Sequence, residues 1–287
     1  MVSNPNDLLI VAGAGQYPLL VAQGARAAGV KRIAVLALRG QTSRKMADYA
    51  DQYRCISVGE VRRSLDWIAS QGIHDVMLAG QIKPTALFTT RFDALAREIV
   101  GSLKIKSAHT IFAAAIGQLA ERGIRVLPAS TYMGRHLPEP GVLSARDPDA
   151  REKADIERGI QAALAVGTVD IGQTVVVREG MVLAVEAFEG TNAAIRRGGR
   201  LGGPGAVVVK LARAEHDMRF DIPVVGAGTL RPLINMKIST LAIQARRTLL
   251  LDREKVIATV NRRGIALVAF ASDMPAAPTR PPARQEC

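Results

Sequence analysis

Short, almost continuously apolar runs alternate with helix-type segments through the first half of the chain. The first of these runs, residues 8–13, is typical of a strand that is buried on both faces of a sheet. Strands of this kind that alternate with helices indicate a parallel sheet covered by helices on both sides. We therefore predict an α/β, Rossmann-like parallel-sheet domain over residues 1–135. The predicted strands are 8–13, 32–38, a shorter one within 51–58, 75–79 and 124–127, and the predicted helices are 18–28, 61–70 and 108–122.

The pattern changes after a proline-rich stretch. Residues 136–148 contain three prolines and one glycine among few apolar residues, and we predict them to be a linker. Beyond them we predict a mixed α/β catalytic domain over 149–271 and a flexible, proline-containing tail over 272–287. The predicted strands of the second domain are 173–178 and 181–188, paired as an antiparallel hairpin, then 206–211, 220–224, 248–251 and 265–270; its predicted helices are 149–166, 228–236 and 252–263.

The net charge is +12, and most of it lies in one part of the chain. Residues 190–263 hold fourteen Lys or Arg and five Asp or Glu, which leaves +9 in that segment. Such an asymmetry indicates an anionic partner: nucleic acid, an anionic membrane surface or a phosphate-rich substrate. A solvated surface is an equally open interpretation. Aromatic residues make up only 4% of the chain and none accompanies Arg196-Arg197 or Arg246-Arg247, which disfavours nucleic acid.

Other features of the sequence disfavour membrane-spanning, secreted and disulfide-rich proteins and several classes of enzyme. No apolar run reaches the roughly 18 residues expected of a membrane span, and the N-terminus lacks the basic start of a secretory signal. The two cysteines are too few for a disulfide framework, and the four histidines lack zinc spacing. Neither a Gly-x-Ser-x-Gly elbow nor a Walker A sequence is present. We expect a cytosolic protein that at most touches a membrane surface.

Glycine-containing loops follow two of the predicted strands. Gly13-Ala14-Gly15 stands between the first strand and the first helix, where backbone N–H groups can approach a phosphate. Position 18 is proline instead of the third glycine of the dinucleotide fingerprint, and Arg39-Gly40 stands where an acidic residue would bind a ribose, so NAD is disfavoured. Gly80 leads from another strand to Lys83, which could pair with a phosphate. For both loops a plain structural turn is an equally open interpretation.

Acidic residues in the second domain stand out by their surroundings. Glu186 lies among apolar residues, where an unpaired carboxylate is costly, so we expect an arginine or a hard metal ion beside it. Glu189 follows at the end of the same run. Asp221 precedes Ile222-Pro223, and the proline keeps the segment extended and presents Asp221 rigidly. A rigid carboxylate suits Mg²⁺ or the ordering of a water, and a structural ion pair with an arginine is the alternative.

Five segments that contain these glycine loops and acidic residues occur in order along the chain. They are 9–19 (LIVAGAGQYPL), 77–84 (MLAGQIKP), 170–177 (DIGQTVVV), 184–191 (AVEAFEGT) and 219–226 (RFDIPVVG). Together they resemble the UDP-2,3-diacylglucosamine pyrophosphatase family of the lipid A pathway, in its LpxI branch. The resemblance runs from about residue 8 to about residue 270, and although no single segment is decisive, the ordered set is specific.

The resemblance implies a cytoplasmic enzyme, peripheral to the inner membrane, that hydrolyses the pyrophosphate of UDP-2,3-diacylglucosamine. It implies attack of water on the α-phosphorus, release of UMP and 2,3-diacylglucosamine 1-phosphate, and Mg²⁺ or Mn²⁺ as the cofactor. Asp221 matches the aspartate of the family's Asp-x-Pro-x-x-Gly stretch, so it is the implied catalytic residue and metal ligand, with Glu189 as the second catalytic candidate. The expected substrate-binding residues are Gly13, Gly15, Gln16, Gly80, Lys83, Gln173, Thr191, Lys210 and Arg219.

Three stretches depart from the family pattern by losing acidic or gaining basic groups. Asn192 stands where the family stretch Glu-Gly-Thr-Asp has its aspartate. Residues 106–109, which include His109, replace a Gly-Asp-Asp stretch. Gln244-Ala245-Arg246 replaces Glu-Ala-Gly. A hydrolase or transferase for another nucleotide-diphosphate sugar therefore stays an alternative, as does a non-enzymatic binder of RNA or anionic membrane. The expected partners are the UDP-diacylglucosamine lipid and an anionic membrane surface, without nucleic acid; a homodimer is left open.

Overall fold

The computed structural model divides the chain into two compact units. Unit 1 comprises Met1–Gly134 together with Asp217–Asp221, and unit 2 comprises Arg135–His216 together with Ile222–Cys287. A short piece late in the sequence therefore belongs to unit 1, which the sequence pattern does not indicate. The residues that the structure describes are 6–82, 90–104, 108–169, 171–212, 217–220 and 222–271.

A five-stranded parallel sheet forms the centre of unit 1. Its strands are β1 (Asp7–Ala12), β2 (Arg32–Leu38), β3 (Gln52–Ile56), β4 (Asp75–Ala79) and β5 (Arg125–Val126). They lie in the order β3-β2-β1-β4-β5. The order reverses beside β1, so the carboxyl ends of β1 and β4 frame the switch point at which open parallel sheets usually bind ligands. The predicted parallel α/β fold of this part of the chain is confirmed.

Four helices of unit 1 lie in the described part of the chain. They are α1 (Tyr17–Ala27), α2 (Val61–Ser70), α3 (Ala94–Ser102) and α4 (Ala108–Ala120). Leu65 and Ile68 of α2 pack against Leu9 and Val76 on one face of the sheet. Helix α3 is not predicted from the sequence, and it begins where the Asp93 carboxylate accepts the N–H of Ala96 at 2.8 Å.

Unit 2 contains a six-stranded mixed sheet and a small two-stranded one. The large sheet consists of β6 (Gly141–Val142), β7 (Thr174–Arg178), β8 (Met181–Val185), β9 (Val207–Lys210), β11 (Thr240–Gln244) and β13 (Ala266–Phe270), and the small one of β10 (Val224–Val225) and β12 (Leu249–Leu250). The order in the large sheet is β6-β13-β11-β9-β7-β8. Strands β9, β11 and β13 are parallel, whereas β6 and β7 run antiparallel to their neighbours. A mixed α/β second half is therefore confirmed.

Several elements of unit 2 differ from their predicted form. The predicted strand 220–224 is wrong: of the described residues in this range only Val224 lies in a strand, Val224–Val225, and Phe220 lies in a turn that belongs to unit 1. Strand β11 is not predicted, although it lies between β9 and β13 and is entirely buried. Residues 136–148, predicted as a linker, include strand β6, which pairs with β13 of the unit 2 sheet. The predicted hairpin is confirmed, but its second strand ends at Val185.

The helices of unit 2 cover both faces of its large sheet. They are α5 (Ala150–Gly167), α6 (Thr191–Gly202), α7 (Ala227–Asn235) and α8 (Arg253–Arg262). Because side chains alternate along β7, Val175 joins the α5 side of the core and Val176 joins the α6 side. Glycine permits this close packing, since a Cβ atom at Gly198 of α6 would lie 2.5 Å from the Val176 side chain. None of the helices in the described part of the chain combines the length and apolar character needed to cross a membrane.

Glu152, in the first turn of α5, is a buried carboxylate held by Arg146. Its side chain is 2% exposed, and Arg146 donates two hydrogen bonds to it, at 2.8 and 3.0 Å. Burial alone raises the pKa of Glu152, but hydrogen bonds from Arg146, Ser239 and the backbone of Asp149 outweigh it and lower the pKa from 4.5 to about 2. Because the pKa is lower in the folded chain, the ionised carboxylate stabilises the fold fully above about pH 4.5, and this contribution is lost as the pH falls toward 2.

We expect Glu152→Gln to lower the free energy of unfolding at neutral pH by about 3 kcal/mol, because Arg146 then loses its counter-charge. Urea unfolding of both proteins at neutral pH and at about pH 3 measures the effect, and the difference should shrink at the lower pH. Glu157→Gln is the matched control, since Glu157 lies on the same helix with an exposed side chain. A difference that stays constant with pH would contradict the assigned role of the carboxylate.

Candidate active site

Two loops of unit 1 are joined at the carboxyl edge of its sheet. Directly after β1, the Ala14 N–H donates to the carbonyl of Gln81 at 2.7 Å, and the Gln81 N–H donates back at 3.1 Å. A Cβ atom at Gly13 would lie 2.6 Å from the Gln81 carbonyl oxygen, and one at Gly80 would lie 2.7 Å from that of Ala14. Both glycines are therefore required by the close approach of the two loops, whether or not a ligand binds there.

Gly15 and Gln16 differ from these two glycines because they are exposed. Gly15 has a φ of +94° with open space around its Cα, and Gln16 precedes α1 without capping it through its side chain. Helix N-termini favour anions, and among the described residues the side chain of Gln16 does not cap that of α1. Lys83, predicted to act beside these loops, lies outside the described residues.

Four polar side chains meet at one edge of the unit 2 sheet, and we call them the lysine cluster. Its members are Thr174, the first residue of β7, Glu186, which follows β8, Thr191, the first residue of α6, and Lys210, the last residue of β9. Strands β7 and β9 are antiparallel, and Thr174 stands directly opposite Lys210. Because side chains alternate along a strand, Thr174 points to the same face as Val176, which is the face that α6 covers.

The hydroxyl of Thr191 links the ammonium and the carboxylate of the lysine cluster. Lys210 Nζ donates a hydrogen bond to Thr191 Oγ1 at 2.7 Å, and the Thr191 hydroxyl donates in turn to Glu186 Oε1 at 2.9 Å. Lys210 is only 5% exposed and its Nζ lies 4.0 Å from Glu186 Oε2. A buried ammonium needs an opposite charge nearby. Glu186 therefore has a charged partner, but among the described residues this partner is Lys210 and not the predicted arginine.

One acceptor of the lysine cluster remains unsatisfied. Glu186 Oε2 is buried and accepts no hydrogen bond from any residue that the structure describes. Buried carboxylate oxygens are normally hydrogen-bonded. The unsatisfied oxygen is therefore a position at which a donor group of a ligand or a hard cation would complete the cluster.

Gln173 extends the lysine cluster along the same edge. It immediately precedes Thr174, and its carbonyl accepts the N–H of Leu211 at 3.0 Å, just beyond Lys210. The structure thus brings together three of the predicted substrate-binding residues, Gln173, Thr191 and Lys210.

Glu189 is engaged at the surface by an arginine. Arg197 Nη2 donates to Glu189 Oε1 at 2.7 Å, with about half of the arginine side chain exposed. The hydrogen bond from Arg197 lowers the pKa of Glu189. Glu186, rather than Glu189, is the carboxylate of the lysine cluster. The catalytic assignment of Glu189 stays a prediction.

Arg219 belongs to the late segment that completes unit 1. Its guanidinium donates to Asp217 at 2.8 and 2.6 Å through two nitrogens. The segment is anchored in unit 1, because the N–H of Ala129 donates to the carbonyl of Met218 at 2.7 Å and Phe220 stacks on Phe112 with ring centroids 5.4 Å apart. Asp221, the implied metal ligand, follows directly and lies outside the described residues.

A divalent cation is consistent with part of this donor set. Among the described residues, no group of three or more His, Cys, Asp and Glu could hold a metal ion. The buried, unsatisfied Oε2 of Glu186 is an oxygen of the type that Mg²⁺ and Mn²⁺ prefer. Glu186 therefore fits as one ligand, and the cofactor itself stays a prediction.

The site prediction does not include Thr174 or Glu186. A signal for Glu186 exists in the sequence, since a carboxylate inside an apolar run requires a partner. The sequence cannot identify that partner as Lys210, because the register between β7, β8 and β9 brings the two together across the sheet.

Comparisons with known proteins match both halves of the chain. The model of the LpxI N-terminal domain matches residues 7–136, and the model of the LpxI C-terminal domain matches residues 139–268. The UDP-2,3-diacylglucosamine pyrophosphatase LpxI of Caulobacter vibrioides is 29% identical over 269 residues, which span 89% of this chain and 94% of that protein.

Solved structures give only a weak likeness. The biotin carboxylase subunit of pyruvate carboxylase is 12% identical, with a TM-score of 0.27, over 64% of this chain and 38% of that one. The biotin carboxylase domain of the Hydrogenobacter thermophilus 2-oxoglutarate carboxylase is also 12% identical, with the same TM-score, over 61% of this chain and 35% of that one. A likeness at this level supports no statement about fold or function.

Proposed function

The chain belongs to the LpxI family, and on this premise we propose that it is an enzyme that hydrolyses the pyrophosphate bond of UDP-2,3-diacylglucosamine. The observation that carries the proposal is the almost end-to-end match to a pyrophosphatase of that name, over 89% of this chain and 94% of the relative. The proposed products are UMP and 2,3-diacylglucosamine 1-phosphate, which places the reaction in lipid A biosynthesis.

The proposed reaction is a displacement at the α-phosphorus. The oxygen of water forms a bond to that phosphorus, and the bond to the bridging oxygen breaks. The leaving 2,3-diacylglucosamine 1-phosphate keeps the bonding electron pair, and UMP keeps the oxygen of water. Such a reaction needs an oriented nucleophile and neutralisation of charge more than covalent chemistry.

Individual residues have proposed roles in this reaction. Lys210 offsets negative charge of the diphosphate, supported by its position at a sheet edge beside Gln173 and Thr191. Arg219 offers a second positive charge in unit 1, where Asp217 fixes its guanidinium. The remaining proposed substrate contacts are those of Gly13, Gly15, Gln16, Gly80 and Lys83.

Asp221 is the proposed metal ligand and orients the attacking water, and Glu189 is the proposed second acidic residue. The chemistry that Mg²⁺ or Mn²⁺ supplies when bound is neutralisation of charge on the diphosphate oxygens. The unsatisfied Oε2 of Glu186 supports a place for a cation beside the lysine cluster.

The proposed location is peripheral to the inner membrane, on its cytoplasmic side, because a substrate with two acyl chains resides in a bilayer. The excess of nine positive charges in residues 190–263 supports this location, since basic segments are attracted to anionic lipids. Arg196 and Arg200 of α6 belong to this segment, and both are exposed.

Product analysis in ¹⁸O-labelled water tests the proposed function. The purified chain is incubated with UDP-2,3-diacylglucosamine in mixed micelles, with Mg²⁺, with Mn²⁺ or with a chelator. We expect metal-dependent release of UMP that carries the label, because water attacks the α-phosphorus. Label in the sugar phosphate would mean attack at the β-phosphorus, and release of UDP would mean cleavage of another bond.

A UDP-sugar without acyl chains is the matched substrate control. The proposed function requires a clear preference for the acylated substrate. Equal turnover of both substrates would instead favour a general nucleotide-diphosphate-sugar hydrolase, and the absence of turnover with every metal would contradict an enzymatic role in this reaction.

A further inference from the structure

A solvent-open pocket of about 560 Å³ lies in unit 1 beside the carboxyl ends of β2 and β3. Its lining includes three arginines, Arg39, Arg63 and Arg91, together with Gln41, Ser57 and Thr90. None of these residues is part of the proposed hydrolytic site. The volume falls within the range of roughly 300–1,000 Å³ that is typical of small-molecule sites.

Hydrogen bonds and close packing fix the walls of this pocket. The N–H of Ser57 donates to the Glu60 carboxylate at 2.8 Å, and the N–H of Asp93 donates to the carbonyl of Gly59 at 3.0 Å. A Cβ atom at Gly59 would lie 2.2 Å from the carbonyl oxygen of Arg91, so only glycine lets the two segments approach this closely. The backbone that carries Arg91 is therefore held in place without a ligand, which lowers the cost of binding one.

The charges around the pocket are mainly positive and only partly compensated. Arg63 is paired with Glu60 at 2.8 Å. Arg39 and Arg91 are exposed, and within the described part of the chain neither guanidinium makes a hydrogen bond or ion pair. Two available guanidinium groups beside neutral hydrogen-bonding side chains form a suitable environment for a phosphate group.

The position of Arg39 indicates which kind of anion fits. Arg39 directly follows β2, where nucleotide-binding sheets of this topology place the residue that contacts a ribose. An acidic residue at this position binds ribose hydroxyls, whereas an arginine there accommodates a phosphate on the sugar. The chemistry of the pocket therefore matches a phosphorylated sugar or nucleotide better than a neutral nucleoside.

We propose that this pocket binds a phosphomonoester of nucleotide size, with Arg39 and Arg91 on the phosphate and Gln41, Ser57 and Thr90 as hydrogen-bonding partners of the sugar or base. Binding at this pocket does not depend on the proposed hydrolysis, so each can fail without the other. Because UMP is also the proposed hydrolysis product, binding at the pocket is measured as the part of the UMP affinity that the pocket substitutions remove.

Calorimetric titration of the full chain at low ionic strength tests the pocket. The probes are UMP, ribose 5-phosphate, inorganic phosphate and uridine, which lacks the phosphate. We expect UMP to bind at least about tenfold more tightly than uridine, and Arg39→Gln/Arg91→Gln to lower the UMP affinity by at least about tenfold. Arg44→Gln/Arg54→Gln is the matched control, because it removes the same charge from exposed positions of unit 1 that do not line the pocket.

An unchanged UMP affinity in Arg39→Gln/Arg91→Gln would overturn the proposal, and so would an equal loss in the control variant, which would indicate a general charge effect. Thermal melting confirms that both variants fold, as expected for exposed substitutions. Vesicles of phosphatidylcholine with and without phosphatidylglycerol form a separate arm of the test. If the pocket variant loses vesicle binding while its UMP affinity stays unchanged, the two arginines contact lipid headgroups and the nucleotide proposal is wrong.

Discussion

Asp221→Ala is expected to lower the rate of UDP-2,3-diacylglucosamine hydrolysis by roughly 10²–10⁴-fold, the range associated with loss of a positioned acid or base. The resemblance of residues 219–226 to the family segment assigns this role to Asp221. We expect the fold to persist, because the preceding residues are anchored independently through Met218 and the Phe112–Phe220 stack. Initial rates at saturating Mg²⁺, together with urea unfolding, separate the catalytic effect from a structural one.

Glu189→Gln is the matched comparison for Asp221→Ala. Glu189 is held by Arg197 at the surface, and the size of its effect reports whether this carboxylate contributes to turnover. A loss similar to that of Asp221→Ala would establish Glu189 as the second catalytic carboxylate. An active Asp221→Ala protein would remove Asp221 from the mechanism, whatever Glu189 does.

Lys210→Met is expected to reduce hydrolysis by roughly 10²–10³-fold, as when one preorganised group that stabilises developing charge is removed. It should also destabilise the fold by about 3–5 kcal/mol, because Glu186 would lose the charge that compensates its burial. The side chains of Lys210 and Glu186 are only 7% and 14% exposed, so solvent cannot replace the missing partner fully. Steady-state kinetics and urea unfolding measure the two effects on the same protein.

The double variant Lys210→Met/Glu186→Gln distinguishes the two roles of the lysine cluster. Removing both charges leaves neither Glu186 nor Lys210 as an ion without the other, so most of the stability should return while hydrolysis stays low. If activity recovers together with stability, Lys210 has a structural role only. The single variant Glu186→Gln, which keeps Lys210, reports whether the carboxylate itself contributes to hydrolysis or to metal dependence.

The fold is predicted best where a segment keeps one uniform hydrophobic pattern over its whole length. Strands β1, β2 and β4 are near-continuous apolar runs between helices, and the parallel sheet follows from them. Strand β11 is not predicted because its five residues, TLAIQ, show no periodicity that distinguishes a buried strand from a helical turn. Helix α6 is not predicted for a different reason. Its glycines are typical of a flexible spacer between strands, whereas in the structure Gly198 is needed where the helix packs on Val176.

The candidate site is predictable only in part. Lys210, Thr191 and Gln173 stand at the ends of apolar runs, so their common edge can be anticipated from the sequence. Their hydrogen bonds cannot, since the Lys210–Thr191–Glu186 chain depends on strand register and on a helix that the pattern does not indicate. Arg219 and Asp217 are close in the sequence, yet their pairing cannot be predicted from it. The bidentate geometry of the pair depends on a turn that packs in unit 1.

The placement of Asp217–Asp221 in unit 1 affects how the chain can be synthesised and divided. A gene fragment that ends at Gly134 would encode unit 1 without the aromatic ring that covers Phe112 and without the carbonyl that receives the N–H of Ala129. During translation, the N-terminal half therefore has to wait for about eighty further residues before its last piece leaves the ribosome, although N-terminal domains usually fold first.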